Sequence, residues 1–148
     1  MSWEEKSTWI TGLIQLLAGL WYATAIVGKA SGTPVAEIEY LGELVTMIVA
    51  VVVATVAVTI AVAVFSASRA AIAGETHDVD RTDERDKTIA RYAGNIGGIV
   101  LGVGMVPALG LAVFEFDHFW IAHAIIGAFF ASEVVTTGLK IVAYRRGF

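Results

Sequence analysis

Four long apolar segments constrain the fold of this chain of 148 residues more than any other feature of its sequence. They run over residues 9–27, 41–65, 93–114 and 119–144, with approximate ends. A helix rises about 1.5 Å per residue, so each segment is long enough to cross a hydrocarbon core about 30 Å thick. Lipid leaves backbone groups without partners unless the segment satisfies its own hydrogen bonds. The sequence therefore predicts an all-α fold, a four-transmembrane-helix bundle that forms a single integral membrane domain over residues 1–148.

Composition excludes several classes of function. The chain is 57% apolar and 16% charged, and its formal net charge of −4 offers no basic face for nucleic acid. It has no cysteine, and therefore neither a thiolate metal site nor a cysteine nucleophile. It also lacks the common motifs of catalytic and phosphate-binding sites. Only His123 lies within a predicted span, which disfavours a bis-histidine haem in one chain. We expect no enzymatic activity and no cofactor.

The distribution of Lys and Arg predicts the orientation. Nine of the ten basic residues lie before the first span, between the second and third, or at the end of the fourth, and only Lys29 lies on the opposite side. Cytoplasmic flanks carry the excess of Lys and Arg, so both termini are expected in the cytoplasm. The cytoplasmic linker then covers about residues 66–92. The very short outer turn at 115–118 predicts that the third and fourth helices form a tight antiparallel hairpin.

Rows of small residues predict where helices approach closely. The third span carries a glycine-zipper row at spacing four, and the fourth carries a matching row of small side chains. This spacing places each row on one helix face, where two backbones can come close together. Two interpretations remain, packing within the chain and a seam between two copies. The rows are Gly94, Gly98 and Gly102, and Ala124, Ala128 and Ser132.

Polar groups inside the spans predict a second feature. Glu133 lies 13 residues after Trp120, about 20 Å below the outer interface. A charge at this depth costs at least about 2.5–3.5 kcal/mol, so its carboxylate should face protein, be paired or be protonated. At similar depth lie Gln15, Thr59 and Asn95. We expect these four side chains to form a polar layer, which is either structural or part of an ion or substrate path.

Acids and histidines near the outer face define a weaker candidate site. Glu115, Asp117 and His118 occupy the short outer turn, and His123 follows just inside the membrane. Carboxylates and imidazoles bind Zn²⁺ and other divalent ions. His118 and His123 are five residues apart and do not share a helix face cleanly. A solvated acidic rim is the simpler interpretation of the same residues.

Two stretches carry a family resemblance, Asp83-Glu84-Arg85-Asp86 and His118-Phe119-Trp120-Ile121-Ala122, together with the C-terminal run from Lys140 to Phe148. At these positions the chain resembles a family of small bacterial integral membrane proteins of uncharacterised function. The resemblance covers roughly the C-terminal half. It implies four helices in the bacterial cytoplasmic membrane and a DERD-type cytoplasmic motif before the third helix. Family members usually have Asn where this chain has His123. The resemblance implies no activity.

Three functions remain compatible with the sequence. The first is a non-enzymatic assembling or regulatory membrane module, with a homo-oligomer or a cytoplasmic protein as partner besides the lipid bilayer. The second is a small oligomeric transporter or channel that uses Glu133. The third is a membrane protein that binds metal at its outer face. Four helices enclose little cavity, which favours the first function or an oligomeric form of the second.

Overall fold

The part of the chain that the structure describes is almost entirely helical. The computed structural model describes the backbone of residues 3–73 and 79–146, and the side chains of residues 5–65, 67–68 and 84–146. Within these ranges there is no strand. A short 3-10 helix (Val35–Glu37) separates the first two of four α-helices. The α-helices are α1 (Trp3–Ala30), α2 (Leu41–Ala73), α3 (Val79–Val113) and α4 (His118–Arg146).

All four helices are long and apolar enough to cross a membrane. The candidate spans are Glu5–Ala30, Leu41–Phe65, Glu84–Val113 and His118–Arg146. The prediction of an all-α protein with four helices long and apolar enough to cross a membrane is confirmed for the described residues. The segment predicted as a linker is largely helical, because α2 continues to Ala73 and α3 begins at Val79. Its Ala-rich and charged residues are good helix formers, so both helices extend beyond their apolar portions.

The turn between α3 and α4 is built from two capping motifs. Glu115 adopts a left-handed conformation with φ of 55°. The amide of Phe116 donates to the carbonyl of Leu111, and the amide of Glu115 donates to that of Ala112, which is the Schellman pattern at a helix end. Asp117 then caps α4, since its Oδ1 accepts the amide hydrogen of Phe119 at 2.9 Å. Residues 114–117 are thus enough to end α3 and begin α4.

The helices are arranged in a row, in the order α2, α1, α4, α3. The main contacts are α3 with α4, α1 with α2, and α1 with α4. The two inner helices, α1 and α4, each have two neighbours, whereas α2 and α3 each pack mainly against one. Many apolar side chains of α2 and α3 are therefore exposed at the surface of the single chain, where lipid or another protein would cover them.

The loop between α1 and α2, on the side that the sequence predicts to be outer, is held against the C-terminal end of α1 and the N-terminal end of α4. Lys29 makes an ion pair with Glu43 at 2.6 Å, and its ammonium also donates to the carbonyl of Glu39 at 2.6 Å. Gly32 has a φ of 98°, a conformation that side-chain-bearing residues rarely adopt. Ile38 lies buried in a cluster with Tyr22, Ile26 and Phe119. The loop thereby covers the outer end of the α1–α4 interface.

Candidate intramembrane site

The interface between α1 and α4 follows a heptad pattern on both helices. On α1 the residues at alternating spacings of three and four are Gly12, Gln15, Gly19, Tyr22 and Ile26. On α4 they are Phe119, His123, Ile126, Phe130, Glu133 and Thr137. Such spacing keeps one stripe of each helix facing its neighbour over many turns. This stripe holds Gln15, Tyr22, His123, Glu133 and Thr137, so the candidate site lies along it.

Gln15 and Glu133, which the sequence placed at similar depth, are in contact. The side-chain amide of Gln15 donates to Oε2 of Glu133 at 3.2 Å. Gln15 is half-buried, whereas Glu133 is exposed at the surface of the chain. This amide is the only hydrogen-bond partner of Glu133 among the residues that the structure describes. One amide satisfies a fraction of the acceptor sites of a carboxylate, so the site is open on one side.

Thr59 and Asn95 do not join Gln15 and Glu133, and the predicted four-residue polar layer does not form within one chain. The hydroxyl of Thr59 donates to the carbonyl of Thr55 on its own helix at 2.8 Å. Asn95 is exposed on α3. The contacts between helices explain both results, because α2 packs mainly against α1 and α3 mainly against α4, and α2 and α3 have no extensive contact with each other.

His123 has a defined hydrogen-bonding role near the outer end of the interface. Its Nδ1 lies 2.7 Å from the carbonyl oxygen of Phe119, and its Nε2 lies 2.9 Å from the hydroxyl of Tyr22. A carbonyl only accepts, so Nδ1 carries the hydrogen, and Nε2 of the neutral ring accepts from Tyr22. The ring also stacks on Phe119 at 3.9 Å and meets the edge of Tyr40 at 5.4 Å. His123 thus joins α1, α4 and the outer loop.

The predicted outer metal site is not assembled. Asp117 caps α4, Glu115 closes the end of α3, and both nitrogens of His123 face groups other than acids. Within residues 5–65, 67–68 and 84–146, no group of three or more His, Asp or Glu side chains is placed to hold a metal ion. Within the described residues Asp117 serves as a helix cap, and Glu115 and His118 are exposed.

An ion pair joins the ends of α1 and α4 that the sequence predicts to be inner. Glu5 is 7% exposed, and its carboxylate lies 3.7 Å from Nε of Arg145. The guanidinium of Arg145 also lies over the ring of Trp9, 5.5 Å from its centre. A cation over an aromatic face is attracted by the ring quadrupole. Together with Tyr22–His123 at the outer end, these contacts fix the register of the two helices.

The small residues of α4 meet a different set of glycines from the one predicted. Gly94, Gly98 and Gly102 are exposed, and a Cβ at any of them would have no neighbour within 4 Å. The glycines that face α4 are Gly97, which lies against Ser132 and Thr136, and Gly104, which lies against Ala128. The hydroxyl of Ser132 donates to the carbonyl of Gly97 at 2.8 Å. The pairing of Gly94, Gly98 and Gly102 with α4 is therefore wrong for the single chain. Ala124, the first member of the α4 row, is half-buried.

Sequence reasoning missed two glycines on α1. A Cβ at Gly12 would lie 2.6 Å from the Thr137 methyl group, and a Cβ at Gly19 would collide with the ring of Phe130. These glycines let α1 and α4 approach on either side of Gln15. The two glycines are seven residues apart, and Gln15 and Tyr22 each follow one of them by three residues. This heptad pattern was the signal that could have revealed them.

The motif at residues 83–86, which the sequence predicts to be cytoplasmic, lies near the N-terminal end of α3. Arg85 is exposed, Asp86 is half-buried, and Glu84 forms a surface ion pair with Lys87 at 3.8 Å. The side chain of Asp83 lies outside the described residues. The described part of the motif therefore presents charged groups at the end of α3, away from the intramembrane site.

Comparison with known proteins gives no relative. No protein-family model matches the chain, and no curated protein or solved structure is significantly similar to it. The class of the protein follows from its fold alone. Four helices able to cross a membrane, with a polar stripe between the two inner ones, define a multi-pass α-helical membrane protein.

Proposed function

We propose that this protein is a non-enzymatic module of the bacterial cytoplasmic membrane, which assembles through an exposed face of α3. Both termini lie in the cytoplasm in this proposal, and α3 and α4 form a tight antiparallel hairpin. The excess of Lys and Arg at the inner ends of the spans supports the orientation. The four-residue connection between α3 and α4, residues 114–117, supports the hairpin.

The observation that carries the proposal is the exposure of Gly94, Gly98 and Gly102 on α3. Each glycine has open space where a side chain would be, although other glycines of the same helix meet α4. In lipid, a row of glycines favours the packing of a second helix on it, because the two backbones can then approach closely. The sequence left two interpretations of this row, packing within the chain and a seam between two copies. We therefore retain the seam between two copies.

Self-association in the bilayer tests this function. Donor- and acceptor-labelled copies in vesicles should show energy transfer that falls when unlabelled protein is added. Gly98→Leu should weaken association at least tenfold, because its side chain fills the approach surface. The matched control is Gly28→Leu on α1, where a Cβ also meets nothing within 4 Å. Equal association of wild type and Gly98→Leu would exclude this face as the seam.

A small oligomeric transporter is a second candidate, supported by Glu133. Its carboxylate has one hydrogen bond and is open at the surface of the chain, at a depth where an ionisable group is costly. Glu133→Gln keeps an oxygen that accepts from Gln15 but removes the titratable group. Transport through Glu133 predicts that this variant folds normally and loses proton- or cation-coupled flux in vesicles. Unchanged flux in Glu133→Gln, or none in wild type, would rule out this role.

A further inference from the structure

The intramembrane site at Glu133 is incomplete in one chain. Among the described residues its carboxylate accepts one hydrogen bond, from Gln15, and Glu133 is exposed at the surface of the chain. At this depth the carboxylate lies about 20 Å from the outer interface and about 10 Å from the inner one, so a Glu side chain reaches water at neither. Its remaining acceptor sites therefore need a donor from outside the chain.

The contacts between α3 and α4 show which exposed residues of the protein lie at the same depth. Gly97 lies level with Ser132 and Thr136, and Gly104 lies level with Ala128. Residue numbers thus rise along one helix as they fall along the other, which puts Gly98 level with Glu133. Asn95 lies three residues further in, about 5 Å away along the helix. This offset is within the combined reach of an Asn and a Glu side chain.

Asn95 and two of the open glycines share one face of α3. Asn95, Gly98 and Gly102 are three and four residues apart, so they line one stripe. All three are exposed, because the opposite stripe with Gly97 and Gly104 packs on α4. An amide at this depth also lacks a good partner in lipid. The chain therefore has an exposed amide and an exposed, half-satisfied carboxylate in the same layer of the membrane, on surfaces that cannot meet within one molecule.

We propose that a second copy of this chain completes the site, with the Asn95 face of its α3 lying against the α1–α4 pair so that the Asn95 amide donates to Glu133. The proposal rests on the self-assembly proposed above and names the surface that receives the α3 face. Gly98 lets the partner helix approach at the level of Glu133. Two copies related by a twofold axis exchange the contact twice, as in a closed symmetric dimer.

Directed cross-linking tests the arrangement, because the chain contains no cysteine of its own. Phe129 is 54% exposed and lies one turn from Glu133 on α4, at the level of Gly102. Differently tagged copies that carry Gly102→Cys and Phe129→Cys should cross-link to each other in vesicles. Val103→Cys is the matched control, since Val103 is 67% exposed at the same depth but faces another side of α3. It should not cross-link to Phe129→Cys.

A second measurement separates this inference from the proposed function. Asn95→Leu should weaken association about threefold to tenfold, the range for one hydrogen bond between membrane helices, and Glu133→Leu should add little to it. Copies that associate without the 102–129 cross-link, or without an effect of Asn95→Leu, would overturn the inference and leave self-assembly standing. Copies that show no association at any protein-to-lipid ratio would overturn both.

Discussion

Replacing Gly104 with leucine is expected to lower the free energy of unfolding by about 2–3 kcal/mol, the upper range for overpacking. A Cβ at this position would lie 2.7 Å from the Cβ of Ala128 and 3.1 Å from its Cα. Neither atom can move without moving the backbone of α4, so a larger side chain must force the two helices apart. The contact between α3 and α4 is the most extensive one between the described helices, and its loss should be visible in unfolding by denaturing detergent.

Gly98→Leu is the matched control for this prediction. Both glycines lie on α3, but a Cβ at Gly98 meets nothing within 4 Å. The substitution should change the unfolding free energy of the single chain by less than about 0.5 kcal/mol. Measurements at high dilution in mild detergent keep the chain monomeric and so exclude effects of assembly. Equal destabilisation by the two substitutions would show that α3 is rotated relative to this structure.

The apolar spans and the depth of polar groups could be read from the sequence, because hydropathy and helix rise depend only on position along the chain. Four membrane-crossing helices were predicted in this way. The contact between Gln15 and Glu133 follows the same reasoning, since both residues lie at similar depth. Depth does not give the direction in which a side chain points around its helix.

Whether a side chain meets another helix depends on that direction and on which helices are neighbours. The predictions that were wrong concern residues for which the sequence did not give the neighbouring helix. Gly94, Gly98 and Gly102 form an obvious row, yet Gly97 and Gly104 face α4. Both sets satisfy the rule for small residues, and nothing in the pattern of α3 alone distinguishes them. The prediction that Thr59 and Asn95 join the polar layer was wrong for the same reason, since α2 packs mainly against α1 and α3 mainly against α4.

The stripe of residues on α1 indicates a partner helix only when it is compared with the stripe on α4. Gly12, Gln15, Gly19 and Tyr22 form a heptad stripe, and α4 carries its own stripe from Phe119 to Thr137. A stripe on one helix is weak information, because glycines occur often in membrane helices. Two stripes with small residues opposite bulky ones, as Gly19 lies opposite Phe130, identify the partner helix.

Gly19→Val is expected to separate α1 from α4 near the middle of the membrane and to lower the free energy of unfolding by about 2 kcal/mol. A Cβ at Gly19 collides with the ring of Phe130, which must then swing out of the interface and lose its contact with α1. Strain near this position should also weaken the hydrogen bond between Gln15 and Glu133, since Gln15 lies one turn away on the same stripe.

Rescue by a second substitution makes this prediction specific. Phe130→Ala removes the colliding ring, so the double variant should be more stable than the sum of the two single effects, with a coupling of about 1–2 kcal/mol. Phe129→Ala is the control, because its side chain is 54% exposed and is not among the atoms that a Cβ at Gly19 would meet. The destabilisation caused by Phe129→Ala should add to that caused by Gly19→Val, with no coupling energy between the two substitutions. If Phe130→Ala is equally additive, Gly19 does not face Phe130, and the register that brings Gln15 to Glu133 is wrong, because the same stripe sets both contacts.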